Sequence, residues 1–343
     1  MSGGIDSTVC AVILQQMGYE VLGITFRLHE ETSGENIAHL YQEVTDHCAS
    51  LGIRHEIIDL REIFNTRIIG YFTDEYLKGK TPFPCVVCNN KIKWPYLLNY
   101  AQKFGCAYIS TGHYAGIYKA ENKFYIKCAA DAEKDQSFFL WGLSQEVLKK
   151  IIFPLNSLTK TQVKEIAENS GFGNLVHKKE STGPCFIKGN NYRPFLVKQL
   201  KDRNLHISGG LFVTPDGNVI GNHNGYPYYT IGQRRGLGLE LNQPVYVSKI
   251  DHKTNTIVLG NKKSLYKNCF SVCNYNITDY NDFQSSPVIV KIRYRKQKTP
   301  CEIEIESPSK LNVKLREPLD SIAPGQTAVF YSGNIVLGGG FIC

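Results

Sequence analysis

No stretch of this 343-residue chain is apolar over the ~20 residues that a membrane-spanning helix needs. No basic-plus-apolar leader stands at its start, so neither secretion nor import is indicated. Internal repeats of fixed period and low-complexity tracts are missing as well. A Walker-type phosphate loop is also lacking: the Gly-Lys-Thr at Gly79-Lys80-Thr81 has Asp74 where its first glycine would be needed. Only one Cys-x-x-Cys occurs, Cys85 to Cys88, while Cys269 and Cys273 stand four apart, so a four-ligand zinc site lacks its second pair. Cysteine itself is plentiful. Its eleven copies, an odd number, are scattered through strand-like and helix-like segments with no compact disulfide framework, which favours a reducing cytoplasm.

A chain of this length predicts two or three domains, and its net charge of +8 favours a polyanionic partner. The stretch that organises the rest is Ser2-Gly3-Gly4-Ile5-Asp6-Ser7. Adjacent glycines permit positive φ and let backbone N–H groups turn toward an anion. Behind them Ser7 to Met17 carries Val9, Val12 and Ile13 at helical spacing, with Gly18 as the stop and Asp6 or Ser7 as the cap. A glycine-rich turn at a helix N-terminus is a phosphate site, although an ordinary capped turn would look the same. Such a loop normally follows a buried strand, and here Met1 alone precedes it. Omitting five or six buried aliphatic residues would forfeit on the order of 10 kcal/mol, so the sequence reads as starting one strand late.

Tyr19–Leu28 and Arg54–Leu60 read as strands, Glu35–Ser50 and Glu62–Leu77 as helices, Asn89–Phe104 as a helix bent near Pro95, and Ala107–Thr111 as a further strand. This alternation predicts a doubly wound parallel α/β sheet. Helices follow at Gln145–Lys150 and Thr159–Ser170, the second with a Thr159/Gln162 capping box and Gly171 as its stop. From His206 onward, short runs such as LFVTPDGNVIG, PVIVKIRYRK and NIVLGGGFI, broken by Gly, Pro and Asn, predict small β-barrels or sandwiches.

Cys88 stands just ahead of the helix expected from Asn89, near Lys91 and Lys93, and is therefore expected to be acidified and nucleophilic; two buried thiols beside a proline turn are the plainer reading. Cys185 follows a Ser-Thr-Gly-Pro turn with Lys178 and Lys179 upstream. Lys291, Arg293 and Arg295 alternate on one predicted strand face, followed by Lys296 and Lys298, and suit either RNA or a charged edge. Gln233-Arg234-Arg235 lies in a glycine-flanked loop suited to phosphate or a loop base. Tyr226-Pro-Tyr-Tyr229 could stack on bases, but core packing is the stronger expectation.

Together, SGGIDS at 2–7, TPFPCVVCNNKIKW at 81–94, TGHYA at 111–115, KDQSFFL at 134–140, FPLNSLTK at 153–160, KKESTGPCF at 178–186 and YTIGQRRGLGL at 229–239 resemble the tRNA-specific 2-thiouridylase family. The resemblance implies an adenine nucleotide alpha hydrolase-like catalytic domain over 1–190, a small β-rich tRNA-contacting domain over 191–266 and a C-terminal β-barrel over 267–343. It also implies ATP held by Ser2, Gly3, Gly4, Asp6 and Ser7, with Phe26, Gly112 and His113 near the nucleotide and Mg²⁺ as counterion. Cys185 would carry a persulfide and Cys88 would finish in a disulfide with it. Lys134, Gln136, Gln233, Arg234, Arg235, Lys291, Arg293 and Arg295 would meet tRNA carrying uridine at the wobble position, and a cysteine desulfurase relay would supply sulfur. One departure is Cys85, where some members carry an Asp proposed as acid or base. Cys85, Cys88 and Cys185 could instead hold a 4Fe–4S cluster, ranked behind the persulfide. The rivals are an amidotransferase-type synthetase and an RNA-binding protein without catalysis.

Overall fold

A computed structural model describes residues 1–29, 37–178, 183–187, 189, 191–240, 243–285, 287–295 and 297–343. Lys179, Lys296 and the expected helix start at Glu35 lie outside the described residues. The chain forms two compact units, one of Met1–Ile68, Cys85–Asn190 and Gly333–Leu337, the other of Ile69–Pro84, Asn191–Ser332 and Gly338–Cys343.

The first unit is built on the helix Ile5–Gln16, which ends where Gly18 takes φ +85°. One face of this helix, Ile5, Val9 and Val12, packs with Tyr114, Leu155, Val163 and Phe172. Ala11 on the other face joins Val44, Cys48 and Ile53. Apolar residues on both faces place the helix between layers, so its position is fixed from two sides. Leu22–Arg27 pairs in parallel with Arg54–Asp59, from Leu22↔Arg54 to Arg27↔Asp59. Ile109–Ser110 pairs in parallel with Ile151–Ile152. A cleft of about 760 Å³ is lined by residues of both pairs, including Leu22, Gly23 and Ile109, together with Met1, Cys10 and Leu14. The Met1 ammonium donates to the Ile24 carbonyl there, and burial pushes its pKa down.

The expected Ala107–Thr111 strand contracts to two residues. The expected helices are also reshaped. Glu62–Leu77 resolves into Arg61–Phe64, a π-helical turn Asn65–Ile69, and Gly70–Leu77. The Asn89 helix in fact begins at Pro84, runs to Cys88, widens to a π turn over Asn89–Lys93 and continues as Trp94–Lys103. Pro95 has no N–H to donate one turn back and its ring crowds that carbonyl, so the backbone widens before the proline instead of bending at it. An antiparallel hairpin, Ala115–Ala120 with Lys123–Cys128, lies where the sequence reading placed no element. Ile335 and Val336 extend it opposite Lys127 and Ile126.

In the second unit, four strands run in the order Val219–His223, Gly210–Val213, Thr256–Gly260 and Tyr246–Asp251. They bury Phe212, Tyr226, Tyr229, Leu237, Val247 and Ile257, so the tyrosine-rich stretch is core, as the stronger expectation had it. A six-stranded antiparallel barrel follows: Lys267–Ile277, Lys310–Leu319, Thr299–Ser307, Ile289–Lys291, Thr327–Ser332 and the strand ending at Ile342, which closes on the first through Val272↔Ile342 and Ile277↔Gly338. Closure needs glycine: a Cβ at Gly340 would stand 2.4 Å from Val272 Cγ1. Cys273 and Cys343 form a disulfide across the closing seam.

Candidate active site

The glycine-rich loop owes its shape to its small residues. Gly3 takes φ +72°, and a Cβ there would stand 2.9 Å from Val44 Cγ2. Gly4 caps the helix without a side-chain bond, correcting the expectation that Asp6 or Ser7 is the cap. The Ser7 hydroxyl instead donates to the Gly4 carbonyl at 2.9 Å and accepts from the Ser2 N–H at 3.2 Å, tying the loop to the helix. Asp6 is thereby left to other partners: Tyr114 Oη donates to its Oδ1 at 2.8 Å, and Lys160 Nζ approaches the same oxygen at 2.7 Å. Gly112 lies against this turn so closely that a Cβ would come within 2.7 Å of the Asp6 carbonyl carbon and 2.8 Å of the Ser7 nitrogen. The Phe26 ring faces that of Tyr100, with centroids 6.4 Å apart.

Cys85 and Cys88 are spaced i, i+3 on the turn that starts at Pro84, so both point from one face of that turn. Cys88 is not acidified as the sequence suggested, and Cys85 behaves alike. Burial pushes both thiols up, and the Lys93 ammonium opposes the shift. The helix starts at Pro84 and not Asn89, which moves Cys88 away from the helix N-terminus and removes the dipole effect there. Cys185 is pushed up to about 12 by the protein around its sulfur, then by the nearby Cys88 thiolate, with Lys93 again opposing. Its outer surface is exposed to solvent. Cys85, Cys88, Cys185 and Lys93 thus share one electrostatic neighbourhood, with all three cysteines as free thiols. Among the described residues, no three His, Cys, Asp or Glu side chains are gathered closely enough to hold a metal ion. His113, half-buried, meets Thr111 Oγ1 at 2.6 Å through Nδ1 and lies 5.9 Å from the Trp94 ring. Desolvation, then Lys93, pushes its pKa down to about 3.

The residues expected at RNA have diverse surroundings. In the first unit, Gln136 brackets Tyr114, accepting from its N–H at 3.0 Å and donating its own backbone N–H to the Tyr114 carbonyl at 2.7 Å. Lys134 is half-buried. In the second unit, Gln233 braces its own turn through Thr230 and Arg235, while Arg234 and Arg235 face solvent. Lys291 is buried, its Nζ 4.6 Å from the Tyr331 ring centroid. The strand ends at Lys291, so Arg293 and Arg295 do not share its face as alternation had predicted. Arg293 bonds the Asp320 carbonyl at 2.7 Å, and Arg295 lies over Tyr294 at 5.7 Å. The burial of Lys291 was invisible to a reading by alternation alone.

Three family profiles match the chain in succession: a tRNA methyl transferase HUP domain over residues 1–189, a tRNA methyl transferase PRC-barrel domain over 195–261 and an aminomethyltransferase β-barrel domain over 268–342. A tRNA-specific 2-thiouridylase MnmA 1 of Bacteroides fragilis is 44% identical across all of this chain and 95% of its own length. The chain belongs to the tRNA-specific 2-thiouridylase family. A second relative, the tRNA-specific 2-thiouridylase MnmA of Cytophaga hutchinsonii, is 42% identical over 100% of this chain and 95% of that protein. A solved structure, the U34-tRNA thiolase NcsA from Methanococcus maripaludis with its [4Fe-4S] cluster, overlaps at a TM-score of 0.34 and 19% identity, covering 59% of this chain and 64% of that one. A likeness at that level bears on neither fold nor chemistry. In this member of the 2-thiouridylase family, Tyr114 and Lys160 belong to stretches picked out by their resemblance, TGHYA and FPLNSLTK, yet neither had been given a role. Their contacts with Asp6 are visible only once residues more than a hundred positions apart are brought together.

Proposed function

We propose that this chain catalyses ATP-dependent 2-thiolation of the wobble uridine of tRNA, releasing AMP and pyrophosphate. The observation that carries the reading is the presence, in one compact unit, of a phosphate-type loop and two free thiols, Cys88 and Cys185, in one electrostatic neighbourhood. The named relatives point to the same reaction. ATP, its phosphates at Ser2, Gly3, Gly4, Asp6 and Ser7, adenylates the uracil 2-oxo oxygen and makes AMP the leaving group. Gly112 supports the loop, and neutral His113 lies next to it in sequence. Asp6 offers a hard carboxylate oxygen of the kind that holds Mg²⁺, which would screen phosphate charge when bound. A Cys185 persulfide delivers sulfur to the activated carbon, and Cys88 closes the cycle as a Cys88–Cys185 disulfide that a reductant resets. Lys93 stabilises thiolate at both cysteines, whose burial otherwise disfavours it.

The tRNA substrate meets the solvent-facing Arg234 and Arg235 and Lys134, and the target uridine leaves its stack to expose carbon 2. Gln136 in the first unit, and Gln233, Lys291, Arg293 and Arg295 in the second, act as supports within their own unit through the contacts described above. A desulfurase relay supplying persulfide, a cytoplasmic location and a three-domain division at about 190 and 266 belong to the same reading. A 4Fe–4S cluster on Cys85, Cys88 and Cys185 stays behind the persulfide route, because the described thiols are not gathered for a metal. The test is reconstitution with ATP, Mg²⁺, unmodified tRNA and a persulfide donor, scored by nucleoside mass spectrometry. Thiouridine that disappears in Cys185→Ala and in Cys88→Ala is the expected result. Undiminished thiouridine in either variant refutes the two-thiol mechanism.

A further inference from the structure

Two lysines from distant parts of the chain reach the glycine-rich loop. Lys160 Nζ stands 2.7 Å from Asp6 Oδ1. Lys178 Nζ lies 3.3 Å from the Gly3 carbonyl oxygen and 2.9 Å from Glu43 Oε2. Lys160 is placed against local electrostatics: it is the first residue of the helix Lys160–Asn169, where the positive end of the dipole disfavours a cation. Its side chain is only 12% exposed, so this unfavourable charge is also largely withdrawn from water. Its backbone N–H is held by Asp131 Oδ2 at 2.9 Å, which fixes the helix start and keeps the side chain directed to Asp6. The Asp6 carboxylate and the Tyr114 ring, 5.9 Å from Nζ, offset that cost, and a local conflict compensated from a distant segment is the usual mark of a functional position.

The four side chains Asp6, Glu43, Lys160 and Lys178 sum to no net charge. An arriving polyphosphate therefore meets two carboxylates next to the loop unless their lysines change partners. Both lysines can do so, since each ammonium is already within hydrogen-bond reach of a loop residue. A pair as exposed as Lys178–Glu43 contributes little on its own, so exchanging carboxylate for phosphate forfeits little.

We propose that Lys160 and Lys178 form a two-armed cationic clamp for the pyrophosphate end of the nucleotide, each parked on a carboxylate until phosphate arrives. This rests on the ATP reading of the loop and adds two ligands to it. The clamp recognises linked phosphates, so it holds ATP and free pyrophosphate and ignores AMP.

Equilibrium binding of ATP, pyrophosphate and AMP to the full chain, with Mg²⁺ present, tests the clamp by calorimetry. Lys160→Gln and Lys178→Gln should each weaken ATP and pyrophosphate by about tenfold and leave AMP within about twofold. Lys160→Arg should recover most of the loss. Glu43→Gln, which frees Lys178, should tighten pyrophosphate by about twofold, a gain that no folding defect produces. Equal loss for AMP and pyrophosphate would mean general damage and overturn the clamp. Unchanged pyrophosphate affinity in both lysine variants would overturn it while leaving the ATP reading intact. A wild-type chain that binds neither ATP nor pyrophosphate defeats both.

Discussion

A hydrogen atom is all that position 112 can carry. Its Cα faces the backbone of Asp6 and Ser7, and a methyl group would sit 2.7 Å from a carbonyl carbon that cannot swing aside. Gly112→Ala should therefore displace the first turn of the loop helix and lower stability by about 1–3 kcal/mol, with a parallel loss of ATP turnover. Urea unfolding and AMP release measure the two effects, and a variant that matches the parent in both would show that the turn yields freely. At this scale the sequence was informative where the chemistry is local. The glycines of SGGIDS, the small side chains and the paired thiols could be read directly. The pKa direction of Cys88 could not, because it depends on whether the helix begins at Pro84 or Asn89. Proline is welcome in a first helical turn, so residue preferences allow both.

The helix Lys160–Asn169 shows the best agreement between local rule and structure. Thr159 accepts from the Gln162 N–H at 3.3 Å, while Gln162 Oε1 accepts from the Thr159 N–H at 2.8 Å, the reciprocal box the sequence predicted. Thr159→Ala should remove about 1 kcal/mol of stability, read by thermal unfolding. A melting temperature equal to that of the parent would mean Asp131 alone fixes this helix start. Elements that depart from simple periodicity were harder to see. The π turns at Asn65–Ile69 and Asn89–Lys93 shift the 3.6-residue rhythm by one position, and a periodic reading averages across such a shift. The hairpin Ala115–Cys128 turns at Glu121 with φ +51°, without the glycine that usually announces a hairpin.

Across the whole molecule, the α/β-then-β order was legible because strand and helix periods differ. The short strands and turns also predicted a small barrel or sandwich near the C-terminus, but not the register that closes it, which depends on partners far apart in sequence. The Cys273–Cys343 disulfide joins residues 70 apart, and nothing in the cysteine spacing had singled out that pair. Cys343→Ser should lower stability by about 2–4 kcal/mol. The same loss should appear when the parent is unfolded in reductant, with differential scanning calorimetry as the measure. A reductant-insensitive parent would show that the barrel holds without its staple.

The strand Ile335–Ile342 has a consequence for how the protein is made. Its first residues complete the hairpin sheet of one unit, and its last residues close the barrel of the other. Translation proceeds at about 5–20 residues per second, so the earliest residues of the loop wait tens of seconds for this strand to be synthesised. Neither unit can acquire its full set of strand pairings before residues 335–342 have been made. A ribosome stalled after residue 334 would display a nascent chain with two open sheet edges, the sort of surface that chaperones bind.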